Sequence, residues 1–310
     1  MTEATTIEAA AEVASPQAIA EGGSRSLASD AWRQLKKNPV FWVSIVLIAV
    51  FLLMAAVPQL FTQTDPTEAI LKQARERPNA NAWFGRDIQG YDIYARTIYG
   101  ARASILVGVF TTLSTVILGV LLGVIAGFNG GLSDTIVSRV TDIFLAIPLL
   151  LGGILFMASF PNTADSAYMV VVGKVVLALA LLGWPSIARL MRSSVLQVKP
   201  NDYVQAARAL GASPLRIIRS HIVPNAMAPV IVVSTINLGV YISVEATLSF
   251  LGIGLTPPAI SWGVSISDAL VALRTTPHIL LFPSLFLSLT VLAFIMLGDA
   301  VRDAFDPKTR

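Results

Sequence analysis

The most restrictive feature of this sequence is a set of long apolar runs that carry almost no charge. The first run, residues 40–57, contains no charged residue. As a helix it would extend over about 27 Å, close to the thickness of the hydrocarbon core of a bilayer. Hydrophobic residues make up 55% of the 310 residues and charged residues 13%, and the mean hydropathy is +0.71. This composition predicts an integral membrane protein rather than two soluble domains.

Further apolar runs follow the first, so we expect an all-α polytopic membrane protein with about six transmembrane helices. The third run contains Pro148, which frees a carbonyl and bends a helix. In the second run, Gly119, Gly123 and Gly127 fall on one face, where another helix could approach closely. The predicted spans are residues 40–57, 104–127, 143–160, 168–188, 226–251 and 279–297.

The polar segments between the spans give the predicted orientation. Most of the 22 lysines and arginines fall in segments that place both termini inside the cell, in agreement with the positive-inside rule. This asymmetry explains the net charge of +3, which indicates no nucleic-acid partner. We divide the chain into a cytoplasmic tail with a pre-span helix (1–38), a first transmembrane helix (39–58), an extracytoplasmic loop (59–103), a five-helix core (104–298) and a cytoplasmic C-terminal tail (299–310).

Local signals describe several of these polar segments more closely. Residues 1–30 are rich in Ala, Glu, Ser and Thr without an apolar period, and they are predicted to be disordered and to hold no secretory signal. Residues 31–38 are basic, with Trp32 as an anchor at the membrane interface. In the outer loop, residues 68–77 are predicted to form a helix. Trp262, at the start of a later outer segment, is also expected at the interface.

A polar, basic segment at residues 199–225 separates two apolar runs and carries signals for two short helices. Asp202 is predicted to cap the first helix, and Gly211 supplies the left-handed position that ends it. Ser213 followed by Pro214 is typical of the start of a second helix.

The second of these helices is predicted to have an apolar face, because Leu215, Ile218 and Ile222 recur at helical spacing. A membrane protein that holds a folded, basic segment between two spans usually presents it to a soluble partner. Taken alone, the same features are also compatible with a solvated loop between two helices.

Two ionisable residues lie inside the predicted spans. An acid within a span indicates a functional site by default, so Glu245 is a candidate. The alternative is a structural hydrogen bond from Glu245 to a neighbouring helix or turn. Lys174 lies near the outer end of its span, where it either snorkels outward or contacts a substrate.

The sequence lacks the residue patterns of common catalytic sites. It contains no cysteine, which excludes disulfides, thiolate metal sites and a cysteine nucleophile. No phosphate-binding Gly-x4-Gly-Lys-Ser/Thr loop occurs, so ATP is not expected to bind to this chain. His221 and His278 are predicted on opposite sides of the membrane and could not share a metal or a catalytic site. We therefore expect a protein that is not an enzyme and holds no cofactor or metal of its own.

Two separated stretches resemble one known family. Residues 203–213 and 221–225, YVQAARALGAS and HIVPN, resemble the "EAA" loop of ABC importer permeases. Residues 245–254 with the following Pro257-Pro258 and Ser261-Trp262-Gly263 resemble the C-type permease subunit of dipeptide, oligopeptide and nickel importers. The family's usual glutamate is replaced here by Gln205, which keeps hydrogen-bonding ability but loses the charge.

The resemblance implies a type I ABC importer permease core in a bacterial plasma (inner) membrane. It implies that the chain forms half of a translocation pathway for di- or oligopeptides that works by alternating access. The implied partners are membrane lipid, a B-type permease subunit, cytoplasmic ATPase subunits that bind ATP and Mg, and an extracytoplasmic peptide-binding protein. Dipeptides, longer peptides, nickel chelates and glutathione all remain open as cargo.

Pro148 and Glu245 are candidates for the translocation pathway because of their positions inside the predicted spans. For the polar segment at residues 199–225, the resemblance implies roles for individual residues. The residues expected to couple the chain to the ATPase are Asp202, Tyr203, Gln205, Ala206, Ala207, Arg208, Gly211, Ser213, Arg216 and His221. An alternative from another class is an ion-coupled secondary transporter, which predicts several intramembrane acids or bases and an internal repeat. We find one acid, one base near an edge, and no repeat.

Overall fold

The computed structural model of the chain describes residues 27–163 and 165–305, and its side chains from residue 31 onward. The predicted disordered tail falls almost wholly outside these residues, as does the end of the chain from residue 306. The described part is helical, with two isolated β-bridges in the outer loop. The helices are α1 (Leu27–Leu35), α2 (Pro39–Ala56), α3 (Ile93–Asn129), α4 (Gly131–Leu145), α5 (Leu149–Ser159), α6 (Tyr168–Val198), α7 (Asp202–Ala209), α8 (Pro214–Ile217), α9 (Val223–Phe250), α10 (Trp262–Ala269) and α11 (His278–Phe305).

Within the described residues, 5 helical segments are long and apolar enough to cross a membrane, or 6 if one bent pair is counted as a span. The single spans are α2, α3, α6, the segment Pro214–Phe250 and α11. The all-α fold and the count of about six spans are therefore confirmed. Most of these helices are longer than the predicted apolar runs, because the polar residues that flank each run are helical as well.

The third predicted span is not one continuous helix. Instead α4 and α5 meet at a bend of 82°, and Pro148 lies at the N-cap of α5 with φ −57° and ψ 129°. Proline lacks a backbone N–H and disfavours helical geometry in the residue before it, so the helix ends ahead of Pro148. The predicted bend is thus a break, and the helix before it begins as early as Gly131.

The centre of the bundle is the packing of α3 along α6. A Cβ added to Gly119 would lie 2.6 Å from the Cβ of Ile187, and one added to Gly123 would lie 2.6 Å from the carbonyl oxygen of Ala188. A Cβ on Gly127 would lie 2.9 Å from the Cβ of Val195. These glycines let the two backbones approach closely, which confirms the predicted role of the glycine face.

The outer loop differs from its prediction. Residues 68–77 hold only a short 3₁₀ turn, Leu71–Gln73, and not a helix. The N–H of Arg75 donates to the carbonyl of Asp87 at 2.9 Å, and Ala69 forms an antiparallel bridge with Tyr91. Arg75 has a φ of 61°, which interrupts a helix. Backbone pairing with residues 86–92 therefore replaces the local helical signal.

Trp262 is buried rather than placed at the membrane interface. It has an exposed fraction of 0%, its Nε1–H donates to the carbonyl of Thr97 at 2.8 Å, and its ring meets Phe51 edge-on at 6.1 Å. Trp262 is the first residue of α10, and its burial places this short helix between α2, α3 and α11. Burial of a tryptophan with a satisfied N–H stabilises this outer part of the bundle.

The two ends of the described chain pack together. Ala31 and Leu35 of α1 form a buried cluster with Ala300 and Ala304 of α11. Residues 299–305, which were predicted to be part of a C-terminal tail, are therefore the last part of α11. Trp32 is half exposed, at 50%, with the Lys36 ammonium 5.2 Å from the centre of its ring.

Candidate functional site

The best candidate for a functional surface is the segment of residues 199–225, which we call the elbow. It consists of α7, a turn, α8 and a π-helical turn, Ile218–Ile222, that leads directly into α9. Because α8, the π turn and α9 are continuous from Pro214 to Phe250, the second half of the elbow is a direct extension of a span.

The ends of the elbow helices follow the sequence signals with one exception. Asn201, not Asp202, occupies the N-cap of α7, with φ −63° and ψ 147°. Asp202 is the first helical residue, where its carboxylate is favoured by the helix dipole. Gly211 has a φ of 79°, as predicted for the left-handed position after a helix. Ser213 caps α8, its Oγ accepting from the N–H of Arg216 at 3.4 Å.

The inner face of the elbow is fixed to the bundle by apolar contacts. Val204, Ile217 and Ile222 are buried, and they belong to one cluster with Met191 and Val195 of α6. The Lys199 ammonium donates to the carbonyl of Phe128 at 2.7 Å, which joins the elbow to the end of α3. Leu215 was predicted on the apolar face but is 63% exposed, because Ile217 takes the inward position instead.

The outer face of the elbow is both apolar and basic. Leu210 is 88% exposed, Leu215 63% and Tyr203 42%. Arg208 and Arg216 are exposed beside them. Sequence reasoning did not single out Leu210. The available signal was a large apolar residue directly before the helix-ending glycine.

The remaining predicted coupling residues lie on the same elbow. Gln205 donates its amide to the carbonyl of Lys199 at 3.0 Å, a bond that a glutamate carboxylate could not donate. Ala206 is exposed and Ala207 is half-buried. The His221 ring lies 6.3 Å from the ring of Tyr203, so the π turn contacts α7. The elbow therefore brings all ten predicted coupling residues into one folded unit.

The two predicted pathway residues lie elsewhere. Pro148 is at the break between α4 and α5. Glu245 lies on α9, about 33 Å along the helix from its first residue. The Glu245 side chain is fully buried, with an exposed fraction of 0%. Ser249 donates its hydroxyl to Glu245 Oε1 at 2.8 Å and accepts from the N–H of Leu255 at 2.9 Å.

Lys174 supports the interpretation of a lysine that reaches toward the outer edge. Its ammonium donates to the carbonyl of Pro161 at 2.9 Å, in the turn between α5 and α6. This hydrogen bond holds the ammonium group at the end of the span, where hydration is available.

A second charged cluster lies under the outer loop and was not anticipated from the sequence. Arg96 pairs with Asp87 at 3.5 Å, and its guanidinium lies 4.5 Å from the centre of the Tyr91 ring. Asp268 of α10 lines the same small pocket. Burial raises the pKa of the Asp268 carboxyl, Arg96 partly offsets this, and Asp87 adds to it. The cluster joins the outer loop to α3 and α10.

Two protein families match different parts of the chain, and both are described as membrane components of transport systems. The family described as "Binding-protein-dependent transport system inner membrane component" matches residues 119–310. The "N-terminal TM domain of oligopeptide transport permease C" matches residues 26–81.

Several relatives are similar over nearly their whole length. The oligopeptide transport system permease protein OppC of Bacillus subtilis is 38% identical over 287 residues, which cover 93% of this chain and 92% of that protein. The dipeptide transport system permease protein DppC of the same organism is 38% identical and covers 93% and 88%. The glutathione transport system permease protein GsiD of Escherichia coli O157:H7 is 33% identical and covers 90% of each chain.

A solved structure agrees in fold. An inward-facing conformation of the MetNI methionine ABC transporter matches with a TM-score of 0.52 and 20% identity, over 67% of this chain and 96% of that chain. At this level of identity the match bears on the fold alone.

Proposed function

We infer the function from one premise: the chain belongs to the family of binding-protein-dependent transport system inner membrane components. We propose that it is the permease subunit of an ATP-driven importer for di- or oligopeptides and that it forms half of the translocation pathway. The names of its similar relatives support the cargo, since they are oligopeptide, dipeptide and glutathione permeases. Dependence on a binding protein argues against the alternative of a self-sufficient ion-coupled carrier.

The observation that carries the coupling role is the outer face of the elbow. An 88% exposed Leu210, with Leu215 and Tyr203 also exposed, leaves apolar surface uncovered on a polar, basic segment. Apolar patches with a polar or charged rim are typical of protein–protein contacts. The partner that fits is a cytoplasmic ATPase subunit with an apolar groove, and ATP and Mg bind to that partner.

The remaining partners follow from the family. A B-type permease subunit would complete the pathway, and an extracytoplasmic peptide-binding protein would deliver the cargo. The chain would lie in the bacterial inner membrane with both termini in the cytoplasm. The mechanism is alternating access, in which closure of the ATPases moves the elbow and the movement passes through the π turn into α9.

The role of the elbow is tested by replacing Leu210 with aspartate. Leu210 is 88% exposed, so Leu210→Asp is expected to leave the fold intact while placing a charge in the proposed contact. We expect the ATPase subunits to be lost on copurification and ATP-dependent peptide uptake to fall at least tenfold, equivalent to about 1.4 kcal/mol of docking energy.

The matched control is Leu71→Asp, because Leu71 is 75% exposed in the outer loop. We expect this variant to retain the ATPase subunits and to transport normally. Retention of the ATPase subunits by Leu210→Asp would contradict the proposed docking surface. The ligand that copurifies with the binding protein identifies the cargo.

A further inference from the structure

The outer face of helix α4 is largely apolar, apart from the 79% exposed side chain of Arg139, and the face toward α6 carries carboxylates. Leu132, Ile136 and Ile143 form its outer face and are 76%, 54% and 66% exposed. Its opposite face carries Asp134 and Asp142 and faces α6. This arrangement is the reverse of that in a soluble helix, as expected where the outer face meets lipid or another apolar surface.

Two ion pairs connect this polar face to α6. Arg192 binds Asp134 with two hydrogen bonds, one from Nε to Oδ1 and one from Nη2 to Oδ2 at 2.6 Å. Arg189 Nη2 donates to Asp142 Oδ1 at 2.8 Å. Both arginines lie in the last third of α6, within about 14 Å of its elbow end. The ion pairs are therefore at the side of the bundle on which the elbow lies.

A cavity of about 350 Å³ lies between the two helices at these ion pairs. Ser138, Thr141 and Ala188 line it together with Asp142, Arg189 and Arg192. A cavity of this size with hydroxyl, carboxylate and guanidinium walls is polar and roomy enough for several water molecules. Its last lining residue on α4, Asp142, lies about two turns before the break at Pro148, where α4 turns away from the direction of α5.

We propose that this cavity is a water-filled part of the translocation pathway at its cytoplasmic end, and that Asp142–Arg189 and Asp134–Arg192 form a latch that holds α4 against α6. The inference rests on the proposed function, because it assigns residues to the pathway of the same importer. In the latched state α4 covers the cavity, and release of the ion pairs lets α4 swing about the break at Pro148.

The strength of the ion pairs suits a reversible latch. The side chains of Arg189 and Asp142 are 58% and 51% exposed, and those of Arg192 and Asp134 are 34% and 23% exposed. The Asp142–Arg189 pair has enough access to water to contribute little to stability, so it is the weaker part of the latch. The bidentate Asp134–Arg192 pair is the stronger of the two. Because each pair joins two different helices, its loss changes the position of α4 rather than the stability of one helix.

The experiment uses the absence of cysteine from the sequence. Thr141 lines the cavity and is only 3% exposed, so Thr141→Cys reports opening through its rate of labelling by a small, membrane-impermeant thiosulfonate. The complete importer is reconstituted with its ATPase subunits facing the reagent. Labelling is followed at rest and after trapping with ATP and vanadate, and peptide uptake is measured in the same proteoliposomes.

We expect Asp142→Asn and Arg189→Gln, each in the Thr141→Cys background, to speed labelling at rest by roughly two- to fivefold, the effect of an exposed ion pair. The exchanged pair, Asp142→Arg with Arg189→Asp, is expected to restore the slow rate. Arg139→Gln is the control, because Arg139 contacts the same Asp142 at 3.8 Å but from within α4. It is expected to leave the rate nearly unchanged.

Labelling that is unaffected by both single variants, while wild-type uptake is normal, would overturn the latch and leave the proposed function intact. Equal acceleration by Arg139→Gln and Arg189→Gln would also overturn it, since the effect would then not depend on contact between helices. Absence of ATP-driven uptake by the wild type would overturn the proposed function and the latch together.

Discussion

At the scale of single residues, Glu245 is the acid most completely removed from water. It is 0% exposed, and Oε1 accepts from Ser249. Among the described residues, Oε2 and the Ser104 hydroxyl have no hydrogen-bond partner by strict geometry. Ser104 and Ser261 nevertheless lie beside the Glu245 carboxyl group, together with Ser249. These contacts join α3, α9 and the start of α10, so they favour the structural interpretation of Glu245 over a direct contact with cargo.

The structural interpretation predicts different results for two substitutions of Glu245. Glu245→Gln preserves the shape and the oxygen that accepts from Ser249, and it adds an N–H₂ donor for Ser104. We expect normal uptake and an unchanged thermal midpoint of the purified complex. Glu245→Ala leaves a cavity and removes the acceptor of the Ser249 hydroxyl proton, and we expect a loss of about 2–4 kcal/mol in the free energy of unfolding. Loss of uptake in a stably folded Glu245→Gln variant would instead assign the carboxyl group a role in transport.

At the scale of elements, the distance between α3 and α6 is set by glycines of α3, which have no side chain at the contact. A Cβ at Gly123 would lie 2.6 Å from the carbonyl oxygen of Ala188 and 2.7 Å from the Cβ of Met191. Neither a backbone oxygen nor a Cβ moves without moving its helix. The spacing of the glycines in the sequence therefore predicted a close approach by another helix, but it did not identify α6 as that helix.

Gly123→Ala is expected to destabilise the bundle by about 1–3 kcal/mol, because α3 and α6 must separate. The control is Gly173→Ala on α6, where an added Cβ meets nothing within 4 Å. That variant is expected to be neutral or slightly stabilising, because alanine favours a helix over glycine. Thermal unfolding of the two purified complexes compares them directly. Equal midpoints would contradict the close approach of α3 and α6.

Other elements could not be predicted as well from the sequence. The helix expected at residues 68–77 is replaced by pairing with residues 86–92, a contact between distant parts of the chain that local propensity does not contain. The inward position in α8 belongs to Ile217 rather than Leu215, because the π turn shifts the helical register that a regular spacing assumes. The two ion pairs of the latch join residues that are 47 and 58 positions apart in the sequence. No local sequence pattern identifies pairs at such separations.

At the scale of the whole molecule, a rigid bundle carries movable parts at its elbow end. The α3–α6 contact and the buried Trp262 fix the centre and the outer side. On the elbow side, the apolar contacts of the elbow and the ion pairs between α4 and α6 share the last turns of α6. The lengths of the apolar runs predicted the number of spans, because a span must match the thickness of the membrane. The glycine spacing predicted the glycine face, and the capping residues predicted the helices of the elbow, because helix ends favour particular residue types.

The orientation of the elbow is the claim from which the mechanism follows, and one labelling experiment tests it. Leu210→Cys places the single cysteine of an otherwise cysteine-free chain at an 88% exposed position. A membrane-impermeant thiol reagent is applied to intact cells and to inside-out vesicles, with and without the ATPase subunits. We expect labelling only in inside-out vesicles, and protection there when the ATPase subunits are bound. Labelling of Leu210→Cys from outside intact cells would contradict the account.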